Sequence, residues 1–232
     1  MKQVATEAPK TQVMNKLIDF LSRSRKPIMI ALGVVAVVVV TLVVVFSIQN
    51  SRTNAALTAA EDLQSAFEDW MEVGDETKAE EYGELAQAAS QIIDAYPRTY
   101  AASRARMVDA RALAELERWD EAATRYAEIA DVFPESYLAP VSLMDAAVAA
   151  ESGGDTDRTL ELLTRLIDEY GENSAETPRA LFSIGRIREQ RDEVSDAADS
   201  YRRLIEGYPA SSWTNLARNR IITLTVEGRI GG

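Results

Sequence analysis

Four helix-breaking residues stand at nearly equal intervals along this chain: Pro97, Pro134, Gly171 and Pro209, separated by 37, 37 and 38 residues. Each follows an aromatic residue (Tyr96, Phe133, Tyr170, Tyr208), and each precedes by two positions a residue suited to start a helix (Thr99, Ser136, Asn173, Ser211). Proline has no backbone N–H and excludes the helical conformation from its predecessor, so it stops a helix. A short polar side chain then accepts a bond from an early, unpaired N–H and starts the next. A stop and a start repeated at a fixed period of this length specify an array of supersecondary units.

Between breakers the pattern reads helix, short turn, helix. In the second unit Val108, Ala112 and Leu116 recur at helical spacing, "ERWDE" supplies a turn with Asp120 placed to cap, and Ala122, Tyr126, Ile129, Ala130 and Phe133 form the next apolar stripe. The fourth unit repeats this with Asp192 at the cap position and Ala197, Tyr201, Leu204, Ile205 and Tyr208 behind it; in the third, "GGD" is the turn and Asp155 the cap. Aromatics at this spacing, with Trp119 among them, read as core.

These units resemble tetratricopeptide repeats in the slightly longer form of bacterial envelope proteins. The resemblance rests on Ala110, Ala122, Tyr126 and Pro134 in the second unit and on Gly185, Ala197, Tyr201 and Pro209 in the fourth, spaced 12, 4 and 8 residues apart in both. The third unit keeps Ala147 but departs at Thr159, Leu163 and Gly171; the first keeps the pattern only through Leu85 and Ala89. The resemblance covers roughly residues 77–228 and implies an α-solenoid that binds proteins or peptides. The "NAALTAAEDLQSAFEDWM" stretch ahead of it reads as one more helix, within 49–76, continuing from the preceding segment because Asn50–Thr53 holds no Pro or Gly. A closing helix is expected from about Ser211, stopped by "GRIGG".

Ile28–Ile48 is a run of 21 uncharged residues. At ~1.5 Å per residue it spans roughly 31 Å, near the ~30 Å hydrocarbon core of a bilayer. It is longer than a signal-peptide h-region and lacks a small-residue cleavage site, which predicts an uncleaved signal anchor. Lys2, Lys10, Lys16, Arg23, Arg25 and Lys26 precede it, and Arg52 alone lies in the 29 residues after it. The positive-inside rule then puts residues 1–27 in the cytoplasm, as a tail or a short amphipathic turn, and the repeats outside, in the periplasm of a bacterium. The fold class expected is all-α: one transmembrane helix followed by a solenoid of helical hairpins.

Composition narrows the function. There is no cysteine and no histidine, which removes disulfides, thiolate chemistry, the commonest general base and the commonest metal ligand. No phosphate loop is present, and "DTD" at 155–157 lacks the Gly and Glu that a calcium loop requires. No catalysis and no cofactor or metal are expected. Beyond residue 48 the chain carries 19 basic and 35 acidic residues, a net charge of −16, which disfavours nucleic acid as a partner.

The resemblance implies a binding surface on the concave side, lined by the first helix of each hairpin. Carried over by position it comprises Arg104, Met107 and Arg111, then Val141, Met144 and Val148, then Arg179, Phe182 and Arg186. Met107, Met144 and Phe182 would form an apolar floor, and the four arginines either a flank for peptide carboxylates or merely an offset to neighbouring Asp109, Glu115 and Glu189. The expected function is a membrane-anchored periplasmic scaffold or chaperone-like adaptor for protein or peptide partners of the envelope, with translocon or outer-membrane assembly components as candidates. The topology is similar to the ancillary subunit family of the Sec translocon. The alternative is a purely structural envelope bridge with one fixed partner.

Overall fold

A computed structural model describes Met14, residues 25–171 and residues 173–231; the reading of residues 1–24 as a tail falls, apart from Met14, outside them. From Arg25 onward the elements are α1 (Arg25–Met71), α2 (Asp75–Ala95), α3 (Tyr100–Glu115), α4 (Trp119–Val132), α5 (Leu138–Ser152), α6 (Thr156–Tyr170), α7 (Thr177–Gln190), α8 (Val194–Gly207) and α9 (Ser212–Val226). The described residues contain no strand. Contacts divide the chain into two units, Met1–Asn54 and Ala55–Gly232.

In the first unit the side chains from Leu32 to Ile48 stand exposed; Val44 is 49% open and Phe46 74%. This part of α1 is long and apolar enough to cross a membrane, and none of that stretch is buried. A helix apolar on every side has no water-facing stripe, which is the composition a lipid environment asks for. Its one hydroxyl between Ile28 and Phe46, that of Thr41, donates to the Val37 carbonyl at 2.8 Å, so its polar group is satisfied within the helix.

In the second unit each helix from α2 onward packs on the next, giving consecutive hairpins. Residues 55–71 of α1 belong to this packing. Ala56, Ala60, Leu63, Phe67 and Trp70 share a core with Leu85, Ala89 and Ile92 of α2 and Ala101, Ala105, Val108 and Ala112 of α3. The segment read from sequence as a membrane-proximal helix thus packs on α2 and α3 over residues 55–71, within the compact unit Ala55–Gly232. A latch secures it: Trp70 Nε1 donates to the Lys78 carbonyl at 3.0 Å, and the Lys78 ammonium lies 5.8 Å from the Trp70 ring centre and 2.7 Å from Glu115.

Alanines hold the helices together. Ala110, Ala122, Ala123, Ala130, Ala139, Ala146 and Ala150 are fully buried, and side chains of this size let helix axes approach closely. Gly185 is the extreme case: a Cβ there would lie 2.5 Å from Cε1 of the buried Tyr201.

The breakers act as expected. Tyr96, Phe133 and Tyr208 are C-caps whose N–H groups close the last turn on Ile92, Ile129 and Leu204. With Gly171 in place of proline, the third unit's helix runs one residue further, and the Gly171 N–H bonds the Ile167 carbonyl. Thr99, Asp155 and Ser211 are N-caps that accept from Ala102, Arg158 and Trp213 N–H groups. Ser136 accepts from the Leu138 N–H one residue ahead of the cap position. Asn173 does not start a helix; α7 begins at Thr177, where Pro178 takes the first turn.

Asp120 and Asp192 are not caps, contrary to expectation. The helix pairs turn through one left-handed residue, Glu117 (φ 55°), Gly154 (φ 84°) or Asp192 (φ 63°), at intervals of 37 and 38. The residue after it is the N-cap: Arg118, Asp155 or Glu193. Two of the three turns therefore use a left-handed residue with a Cβ, where glycine would be free of strain. The final helix ends as "GRIGG" suggests, with Gly228 at φ 69° and the Arg229 N–H closing on Leu224.

Candidate interaction surface

The first helices α3, α5 and α7 carry the nine residues expected to form the binding surface. Arg104 and Met107 are half-buried, and Arg111 is exposed. Val141 is half-buried, and Val148 is 41% exposed. Arg179, Phe182 and Arg186 are half-buried. Met144 is only 2% exposed and sits in the main core with Leu143, Ala147 and Leu163, so it forms no part of an open floor. The reason lies in α5 itself. Its "LAPVSLMDAAVAA" run is apolar on nearly every side, because it is packed between its neighbours in the array. The partly open residue beside Met144 is Asp145.

The expected free arginines are largely engaged within the chain. The Arg111 guanidinium lies 4.9 Å from the Phe67 ring centre, tying α3 to α1. Arg186 holds Glu151 of α5 with contacts of 2.5 and 2.7 Å to its two carboxylate oxygens. Arg179 is 3.8 Å from Glu176. Arg104 enters no ion pair among the described residues. Asp145 is pushed up from the usual carboxylate range, chiefly by burial, while Arg179 and Arg111 pull it back. The face thus alternates cation and anion across successive first helices.

The next rung continues onto α9. Arg220 forms a two-point ion pair with Glu189, which also accepts from the Tyr201 hydroxyl at 3.1 Å. Burial raises the Glu189 carboxyl, but the Arg220 and Tyr201 bonds outweigh it, and it lies below its ordinary value. Phe182, Arg186, Glu189, Gln190, Tyr201 and Arg220 line a cleft of ≈ 310 Å³. Phe182 packs there between Tyr201 and Trp213, at 5.7 and 5.4 Å between ring centres. Glu151 and Arg220 were not singled out from sequence. Their partners lie 35 and 31 residues away, and such spacings become meaningful only once the hairpins are stacked.

Among the described residues no group of three acidic side chains is arranged to hold a metal ion. What the surface can do chemically is recognise: it offers aliphatic side chains (Val141, Val148, Met107), one aromatic edge (Phe182) and paired charges.

Residues 142–173 and 179–211 match the tetratricopeptide repeat family model. A TPR repeat-containing protein of Treponema pallidum (strain Nichols) is 29% identical over 110 residues, 47% of this chain and 45% of that protein. The chain thus aligns with less than half the length of that relative. Among solved structures, the MamA RS-1 ArsTM double mutant aligns with 67% of this chain and 93% of its own at 9% identity and a TM-score of 0.42. The register of the two matched stretches is the register of α5–α6 and α7–α8. Residues 142–173 and 179–211, folded as the hairpins α5–α6 and α7–α8, are thus tetratricopeptide repeats.

Proposed function

We propose that this chain is a scaffold anchored in the cytoplasmic membrane by Ile28–Ile48, with residues 1–27 in the cytoplasm and the repeats in the periplasm. There the concave face of α3, α5 and α7 receives a segment of a cell-envelope protein, such as a component of an export or outer-membrane assembly machine. The observation that carries this is the partial exposure of Arg104, Met107, Arg111, Val141, Val148, Arg179, Phe182 and Arg186 on helices otherwise packed into the core. Repeat arrays use this surface for extended ligands because it is long, continuous and rigid. The reading includes no catalysis.

A specific observation favours the structural-bridge form of this function over a chaperone-like one. Arg186 is committed to Glu151, Arg111 is stacked on Phe67, and Arg111 and Arg179 flank Asp145. A face already neutralised suits one partner of matching shape better than a succession of acidic peptides.

The topology is tested by adding protease to spheroplasts: the repeats should be degraded while the cells remain intact, and survival until lysis would refute the orientation. The face is tested by Arg104→Glu with Val148→Glu, two side chains without ion pairs. Partner capture should fall with helicity unchanged; undiminished capture excludes this face. One stoichiometric partner identifies a bridge, and many unfolded exported chains identify a chaperone-like adaptor.

A further inference from the structure

On the loop edge of the repeats, away from the first-helix face, two tyrosines stand in solvent. Tyr100 is 51% exposed and Tyr137 72%; no other aromatic side chain between residues 55 and 231 is exposed among the described residues. They occupy the same offset, three residues after Pro97 and Pro134. Two large apolar side chains left in water at equivalent repeat positions have no role in the core.

Tyr137 also borders a cavity of ≈ 600 Å³ between the turn at Pro134 and the turn after α6. Pro134, Pro140 and Tyr170 supply its other apolar walls, and Glu135 and Glu169 its carboxylates. Both carboxylates line the cavity with Tyr170, whose phenol is raised first by burial and then by Glu169, with Glu135 adding to it. Glu169 is shared with Arg165 at 2.9 Å. Glu135 enters no ion pair among the described residues.

The chemistry of this cavity selects its occupant. Flat tyrosine rings and compact, rigid proline rings suit an extended chain bearing prolines. Such a chain is already in its polyproline conformation and has little entropy to lose on docking. The carboxylates call for a cation beside those prolines and repel phosphates and acidic peptides. We propose that this cavity is a second binding site, for an extended segment of a partner protein in which prolines alternate with lysine or arginine. It is independent of the first-helix face, and loss of one site leaves the other intact.

The test uses the full chain in nonionic detergent and fluorescently labelled (Lys-Pro)5, with (Lys-Ser)5 and (Glu-Pro)5 as controls, read by anisotropy. The acidic domain attracts any cationic peptide, so the serine control measures that background. (Lys-Pro)5 should bind about tenfold more tightly than (Lys-Ser)5, and (Glu-Pro)5 should not bind. Tyr137→Ala and Glu135→Lys, both on exposed side chains, should each weaken (Lys-Pro)5 by about fivefold or more. Glu206→Lys, the same charge change on the exposed side of α8, should weaken it by about twofold at most. Equal binding of the two lysine peptides, or equal loss from Glu206→Lys and Glu135→Lys, would reduce the effect to general electrostatics and overturn the proposal. Absence of (Lys-Pro)5 binding would overturn it as well. Circular dichroism of each variant confirms that the repeats are intact.

Discussion

Gly185→Ala isolates the packing rule on which the array is built. A Cβ at this position would stand 2.5 Å from Cε1, 2.8 Å from Cδ1 and 2.9 Å from Cζ of Tyr201. Carbon atoms prefer separations of about 3.5–4.0 Å, so the ring or the helix must move by roughly 1 Å. The ring has little freedom to do so. It is fully buried, packed against the tilted ring of Phe182, and held by its hydroxyl on Glu189. Overpacking of this kind costs about 1–3 kcal/mol, while replacing a helical glycine by alanine returns about 1 kcal/mol. The net expectation is destabilisation by up to about 2 kcal/mol, a fall of up to roughly 8 °C in Tm for a chain of this size. The other hairpins show how the clash is avoided. The third unit pairs Ala147 with Leu163, both 1% exposed. The second pairs Ala110 with Tyr126, but the position equivalent to Glu189 is there Ala114, so no carboxylate draws the ring down. In a Tyr201→Leu background the same Gly185→Ala change should therefore turn stabilising, by up to about 1 kcal/mol. Urea denaturation of both single variants and the double variant measures the cycle. A stabilising Gly185→Ala in the presence of Tyr201, or the same effect in both backgrounds, would refute the reasoning.

Three further outcomes are expected. A fragment of residues 50–232 should be soluble and strongly helical, as its packed hairpins and −16 charge beyond residue 48 require, and a circular dichroism spectrum dominated by strand or coil would contradict this. Glu117→Gly should raise stability by up to about 1 kcal/mol by relieving the left-handed residue, whereas Glu117→Ala, which keeps a Cβ, should give no such gain; thermal melts decide between them. Glu189→Gln should lower the melting midpoint at pH 7. Because the folded Glu189 carboxyl lies below its ordinary value, its contribution is present above the usual carboxylate range and is lost as pH falls through the folded value. The gap between variant and parent should therefore close below about pH 4, and a gap independent of pH would place the effect elsewhere.

The period of the breakers carried most of the architecture, because proline and the polar starters act locally and need no partner to be read. Thr99, Asp155 and Ser211 cap helices as their chemistry suggests. The turn register was misread at Asp120 and Asp192 because an aspartate near a turn serves equally as a cap or as a left-handed residue, and Glu117 carries no sign of its conformation. The packing of residues 55–71 was hidden by their continuity with the apolar segment before them; what places Phe67 and Trp70 in a core is their contact with α2 and α3. Positional analogy could not tell Met144 from Asp145, since α5 offers almost no polar contrast. Nor could it see that Arg186 is neutralised by Glu151 across two helices. The exposed tyrosines were accessible in principle: Tyr100 and Tyr137 share one offset from their prolines, and neither falls on an apolar helical stripe.

The central claim is that a partner docks on the first-helix face of a membrane-held array. Its most direct measurement is photo-crosslinking in intact cells from a reactive side chain placed at Val148, the 41%-exposed centre of that face, with a matched position at Glu206 on α8. The account predicts a discrete adduct with an envelope protein from position 148, competed by the unlabelled parent protein, and none from position 206. An adduct confined to position 206, or none from position 148 with the protein correctly inserted, would contradict it.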